Sequence, residues 1–142
     1  GDAWDHYALL YEYANDVGIT FSTRQFDAHG EAGGINNRMF GTRGVFSGKD
    51  GGPVMIRGEG DAFFRGGSTK NIAKTGAVEN IRAFHDLVSR GDPANTTVAP
   101  SVTSTLVAIM GRMAARQKRT VTWAEVLASK QALTPDLSEL LA

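Results

Sequence analysis

Along residues 6–13 apolar and polar side chains alternate, the two-residue period of a strand with one half-buried face. Tyr7, Leu9, Tyr11 and Tyr13 share one face, and His6, Ala8, Leu10 and Glu12 take the other. Asn15-Asp16-Val17-Gly18 tolerates turn conformations, and Ile19, Phe21 and Thr23 resume the alternation, so a hairpin is predicted. Gly30, Gly33 and Gly34 then break the pattern, and residues 26–37 read as a loop. Strand character returns over residues 38–46 around Gly41 and Gly44, and again at Val54-Met55-Ile56 and Phe63-Phe64. The strand half holds nearly all of the seventeen glycines.

After Gly76 the period lengthens to about 3.6, with Val78, Ile81, Phe84, Leu87 and Val88 on one stripe and Glu79, Arg82, Asp86 and Arg90 opposite. Gly91-Asp92-Pro93 should stop that helix, because glycine suits a left-handed cap and proline cannot extend the ladder. Residues 95–100 read as a linker. A second helix is predicted over 101–117, burying Val102, Leu106, Ile109, Met110 and Met113. Arg112, Arg116, Lys118 and Arg119 lie near its carboxyl end, where cations oppose the negative end of the helix dipole; this role accounts for the cluster better than phosphate binding. Thr122-Trp123-Ala124-Glu125 has capping-box spacing and opens a short third helix carrying Trp123, Val126 and Leu127 inward. Thr134-Pro135 begins a tail with Leu137, Leu140 and Leu141. Strands first and helices last predict an α+β domain spanning residues 1–142: a mainly antiparallel open sheet with helices packed on one face.

A chain of 142 residues is long enough for one core, since a domain of this size buries roughly 68–70% of its unfolded surface. Fifteen basic and fifteen acidic residues cancel, which argues against nucleic acid as a partner. The absence of cysteine excludes disulfides and thiolate chemistry. No apolar run approaches the ~20 residues that span a bilayer, and no signal-peptide pattern opens the chain, so a soluble protein without membrane partners is expected. A cytoplasmic location fits, with an upstream signal on a parent protein left open. The chain starts at Gly1 and enters a strand pattern almost at once, which suggests an excised piece of something longer.

Candidate chemistry is sparse. His6, His29 and His85 have no metal-ligand spacing, and His85 reads as a boundary histidine of the first helix. Asp2 and His6 would pair on a helix, but on a strand they stand ~13 Å apart. Gly58-Glu59-Gly60 and Gly66-Gly67-Ser68-Thr69-Lys70 lack the order of a dinucleotide fingerprint or a P-loop. Asn95-Thr96-Thr97 matches a glycosylation acceptor, a pattern common by chance. No catalytic, cofactor-binding or metal-binding residue is assigned. What remains is Arg24, Gln25, His29, Asn36 and Arg38, at strand ends and in the glycine loop. They fit two readings: paired donors and acceptors for a polyhydroxylated ligand, or solvated loop side chains.

The run Asp5-His6-Tyr7-Ala8-Leu9-Leu10-Tyr11-Glu12-Tyr13, a turn, and Phe21-Ser22-Thr23-Arg24-Gln25 resembles the opening hairpin of the carboxy-terminal domain of the Gfo/Idh/MocA oxidoreductases. Phe40-Gly41-Thr42-Arg43-Gly44 resembles the next strand of that family. Glu79-Asn80-Ile81-Arg82-Ala83-Phe84, the Gly91-Asp92-Pro93 stop, residues 104–115 and Val121-Thr122-Trp123-Ala124-Glu125-Val126-Leu127 are similar to its closing helices, in order and spacing. The likeness covers almost the whole chain. It implies a large antiparallel sheet with helices on one side and a second copy on the other, hence a homo-oligomer through the open sheet face. It also implies a parent with an amino-terminal Rossmann domain, an NAD or NADP cofactor and a sugar or polyol substrate, some relatives using the same redox step for glycoside cleavage. The glycine-rich fingerprint, the Glu-Lys-Pro lysine and the helix with an aspartate and a histidine that the family carries are not found in this sequence. The fragment alone is therefore expected to bind no cofactor and turn over no substrate. The alternative is a free-standing carbohydrate-binding or self-assembly module without redox activity.

Overall fold

The computed structural model describes residues 4–26, 29–30 and 33–131. Their elements are β1 (His6–Tyr13), β2 (Val17–Arg24), β3 (Asn36–Phe40), β4 (Gly44–Lys49), β5 (Pro53–Gly58), β6 (Phe64–Ser68), α1 (Ile72–Arg90), α2 (Val98–Gln117) and α3 (Trp123–Ala128). Strands precede helices and all pairings are antiparallel, so the class is α+β. The strands form two sheets, β1-β2 and β3-β4-β5-β6. The chain divides into two compact units, Gly1–Asp27 with Asn95–Ala142, and Ala28–Ala94. Asp2 and the Leu137, Leu140, Leu141 tail lie outside the described residues.

In the first unit the predicted hairpin is present, its reversal made by a 3-10 turn at Ala14–Asp16 with Asn15 and Asp16 both at positive φ. Tyr7 faces Thr23, Leu9 faces Phe21, Tyr11 faces Ile19 and Tyr13 faces Val17, so both strands contribute to a single apolar face. Helix α2 packs on the β1 half of it. Gly111 is buried against Leu9 and Tyr11, and the Tyr11 hydroxyl donates to the Val107 carbonyl at 3.3 Å. Burial pushes the Tyr11 phenol above its ordinary range, with Tyr13 adding to the rise. Met113, Val121 and Val126 form the core, flanked by Leu106, Ile109, Met110 and Ala114.

Three expectations for these helices need correction. Helix α2 begins at Val98 rather than 101, because Pro100 falls in the first turn, where its missing N–H has no partner to lose. Val102 is exposed, lying beyond the part of α2 that meets the hairpin. In α3 only Val126 is buried, at 4% exposure, while Trp123 and Leu127 remain open to solvent, since six residues present a single inward position. Helix α2 is also twenty residues long with a mean hydropathy of 1.2, enough by length and composition to cross a bilayer. Its Thr103, Ser104 and Thr105 hydroxyls each donate to the carbonyl four residues back, and its Met113 packs into the core of this unit.

In the second unit residues 38–46 form not one strand but the end of β3, a reversal and the start of β4; the Gly41 N–H donates to the Gly44 carbonyl at 2.9 Å across the turn. Thr69 ties the far end together, its hydroxyl donating to the Lys49 carbonyl at 2.7 Å and its N–H to the Gly52 carbonyl at 2.9 Å. Helix α1 starts at Ile72, before the predicted change of rhythm at Gly76, because Asn71 adopts a left-handed conformation and its carbonyl accepts from the amides of Lys74 and Thr75 at 3.0 Å. It stops at Gly91 with φ 63°, as the sequence predicts. No described residue of this unit is buried. The stripe of Val78, Ile81, Phe84 and Val88 is exposed, Ile81 by 71%.

Candidate functional site

The register of the four-stranded sheet sorts its side chains by chemistry. Met39 faces Phe46, Phe46 faces Ile56 and Ile56 faces Phe64, a ladder of large apolar residues across all four strands on one face. On the other face Arg38 is opposite Ser47, Ser47 opposite Met55 and Met55 opposite Arg65. The neighbouring rows there are Asn36 with Lys49, and Phe40 with Val45 and Arg57. Every cation of these strands, Arg38, Lys49, Arg57 and Arg65, therefore stands on the same face, and β3–β6 hold no acidic residue at all. The Arg57 Nη1 donates to Ser47 Oγ at 2.9 Å, laying its guanidinium toward the row that contains Arg38. Phe40, 77% exposed, lies on the same face.

Asn36 and Arg38, two residues apart on β3, are brought together on that basic face. His29 belongs to the same unit, in a turn at φ 50° beside Gly30 at φ 91°; it is not on a strand. Arg24 and Gln25 belong to the first unit. There the Gln25 backbone N–H donates to the Asp5 carbonyl at 2.6 Å and seals the open end of the hairpin. The Arg24 guanidinium lies 5.9 Å from the Phe26 ring centre, and His6, opposite Arg24 in register, meets the same ring edge-on at 6.3 Å. His6 Nδ1 is 2.7 Å from Asp5 Oδ1, both well exposed, so the neighbour of His6 is Asp5.

Ser47, Lys49, Arg57 and Arg65 were not singled out from the sequence. Their membership of one face depends on strand pairing, and the run Val54-Met55-Ile56 is apolar on both faces, which hides its alternation. A bulge between Pro53 and Met55 also shifts the pairing of β5 with β6, so the parity of Arg65 cannot be counted along the chain. A separate recess in the second unit is lined by Thr42, Arg43, Gly58, Glu59, Asp61 and Ala62. Its Arg43 and Asp61 approach to 3.8 Å with both side chains exposed, an ion pair of little energetic weight. Among the described residues no group of three or more His, Asp or Glu side chains is placed to hold a metal ion.

No family model, curated protein or solved structure matches the chain. The likeness to the Gfo/Idh/MocA carboxy-terminal domain thus rests on the order and spacing of motifs in the chain itself.

Proposed function

We propose that the chain is the substrate-side and self-association domain of a nicotinamide-dependent sugar or polyol oxidoreductase of the Gfo/Idh/MocA type, whose cofactor is held by another part of the parent protein. The observation that carries this reading is the amphipathic sheet β3–β6, apolar on one face and lined with hydrogen-bond donors on the other, with neither face buried. The sheet's apolar residues are at most half-buried, which leaves apolar surface for a partner to cover. The apolar ladder suits a second copy, because association there desolvates no charge. The donor-rich face suits a hydroxylated substrate, to which Asn36 and Arg38 offer paired donors.

The nicotinamide, held outside these residues, would supply hydride transfer at a carbinol carbon, and the group that takes the hydroxyl proton would lie outside them too. This chain binds and orients. A cytoplasmic enzyme with no membrane or nucleic-acid partner is the matching setting. The test is to express the full gene product and follow nicotinamide reduction with a panel of neutral and acidic sugars and polyols. Turnover by the full product and none by residues 1–142 alone is the expected result. Absence of both NAD(P) binding and turnover in the full product overturns the reading.

A further inference from the structure

Four cations on one sheet face, with no acidic residue in β3–β6 and no ion pair to any of the four among the described residues, form a local positive field, although the whole chain is neutral. Arg38, Arg57 and Arg65 present forked guanidinium groups, which match carboxylate or sulfate oxygens two at a time. Neighbouring strands lie ~4.8 Å apart, so Arg38 and Arg57, two strands apart, flank Ser47 at a separation that one anionic group and its adjoining sugar ring can bridge. The bond from Arg57 to Ser47 Oγ already holds one guanidinium over this spot. Phe40, Val45 and Met55 supply an apolar floor between the cations, and the exposed Phe40 ring offers a flat surface to the C–H face of a pyranose. A second copy is a poor occupant, because two such faces repel.

We infer that this face is a binding site for an acidic saccharide, a sugar bearing a carboxylate or a sulfate ester, with Arg38 and Arg57 as its principal anion contacts and Arg65 and Lys49 extending the field. The inference rests on the proposed sugar-oxidoreductase reading and narrows its substrate class to anionic sugars.

The experiment is calorimetric titration of the full gene product with D-glucuronate, D-glucose 6-sulfate, D-glucose, inorganic sulfate and a single-stranded oligonucleotide, at low and high salt. Glucuronate or the sulfated sugar should bind measurably more tightly than glucose, with an affinity that falls as salt rises. Arg38→Gln and Arg57→Gln should each weaken the anionic sugar by about tenfold, a larger loss than either causes for glucose, with the circular dichroism unchanged. Arg57→Lys should recover part of the loss, since it restores charge without the fork. Equal affinity for glucose and glucuronate, unchanged binding by both glutamine variants, inorganic sulfate binding as tightly as the sulfated sugar, or tighter binding of the oligonucleotide each overturns the inference. Failure of the two hypotheses is separable. Turnover of neutral sugars with no binding of acidic ones sinks this site and leaves the oxidoreductase reading standing; tight binding of glucuronate with no nicotinamide reduction by any sugar does the reverse.

Discussion

Gly58 stands where no side chain fits. A methyl group there would lie 2.5 Å from the Arg43 carbonyl oxygen and 2.7 Å from the Ala62 Cβ, and neither the backbone nor the short 3-10 turn that carries Ala62 can yield as a long side chain would. Gly58→Ala should therefore cost roughly 1–3 kcal/mol, read as a lower urea midpoint with an unchanged slope. Lys118 is the opposite case. It closes α2 at φ 53°, a left-handed position that glycine occupies without strain. Lys118→Gly should stabilise the first unit by about 0.5–1 kcal/mol in thermal melts, the relief of strain exceeding the entropy that glycine adds to the unfolded chain. A drop in melting temperature would show that the Lys118 side chain does more than cap.

Among the elements, α3 is held by its cap. The Glu125 amide donates to Thr122 Oγ1 at 3.3 Å, the Thr122 amide donates to Glu125 Oε2 at 2.8 Å, and Arg119 pairs with Glu125 Oε1 at 2.8 Å. The hydrogen bond from the Thr122 backbone, followed by those from Arg119 and the Thr122 hydroxyl, holds the Glu125 carboxyl below its ordinary value of 4.5. A depressed carboxyl pKa stabilises the fold above the unfolded value and loses that contribution as pH falls through the folded one. Trp123 fluorescence should accordingly titrate in the acid range below 4.5, and Glu125→Gln should remove that transition. Thr122→Ala should cost about 1 kcal/mol at neutral pH. This cap was legible in four residues of sequence because its chemistry is local, as was the Gly91 stop of α1. The start of α1 was not, since Gly76 looks like a break when it is an exposed position in the second turn with nothing around it. The hairpin β1-β2 was legible because its alternation is unbroken, whereas β3 and β4 merged in the reading because Gly41 and Gly44 suit a strand corner as well as a turn.

For the whole molecule, pairing decides what the sequence could not. Asn36 and Arg38 were found by residue type at a strand end, but Arg57 and Arg65 joined them only through the register and a bulge, which no spacing along one chain reveals. The same register sharpens the proposed self-association. Of the two faces of β3–β6, the one bearing Met39, Phe46, Ile56 and Phe64 carries no charge, and Phe64 and Met39 are largely exposed; the other carries four cations and none of the compensating acids. A second copy can cover the first without desolvating an ion and cannot approach the second without repulsion, so the interface should be apolar and indifferent to salt. Light scattering of the chain at micromolar concentration should then show a dimer or larger species in both low and high salt. Phe64→Asp should shift it to monomer by placing a carboxylate where a neighbouring copy offers no partner, and Arg38→Gln should leave the mass unchanged. A wild-type monomer, or a dimer that dissociates on adding salt and survives Phe64→Asp, would mean that copies do not meet on this ladder.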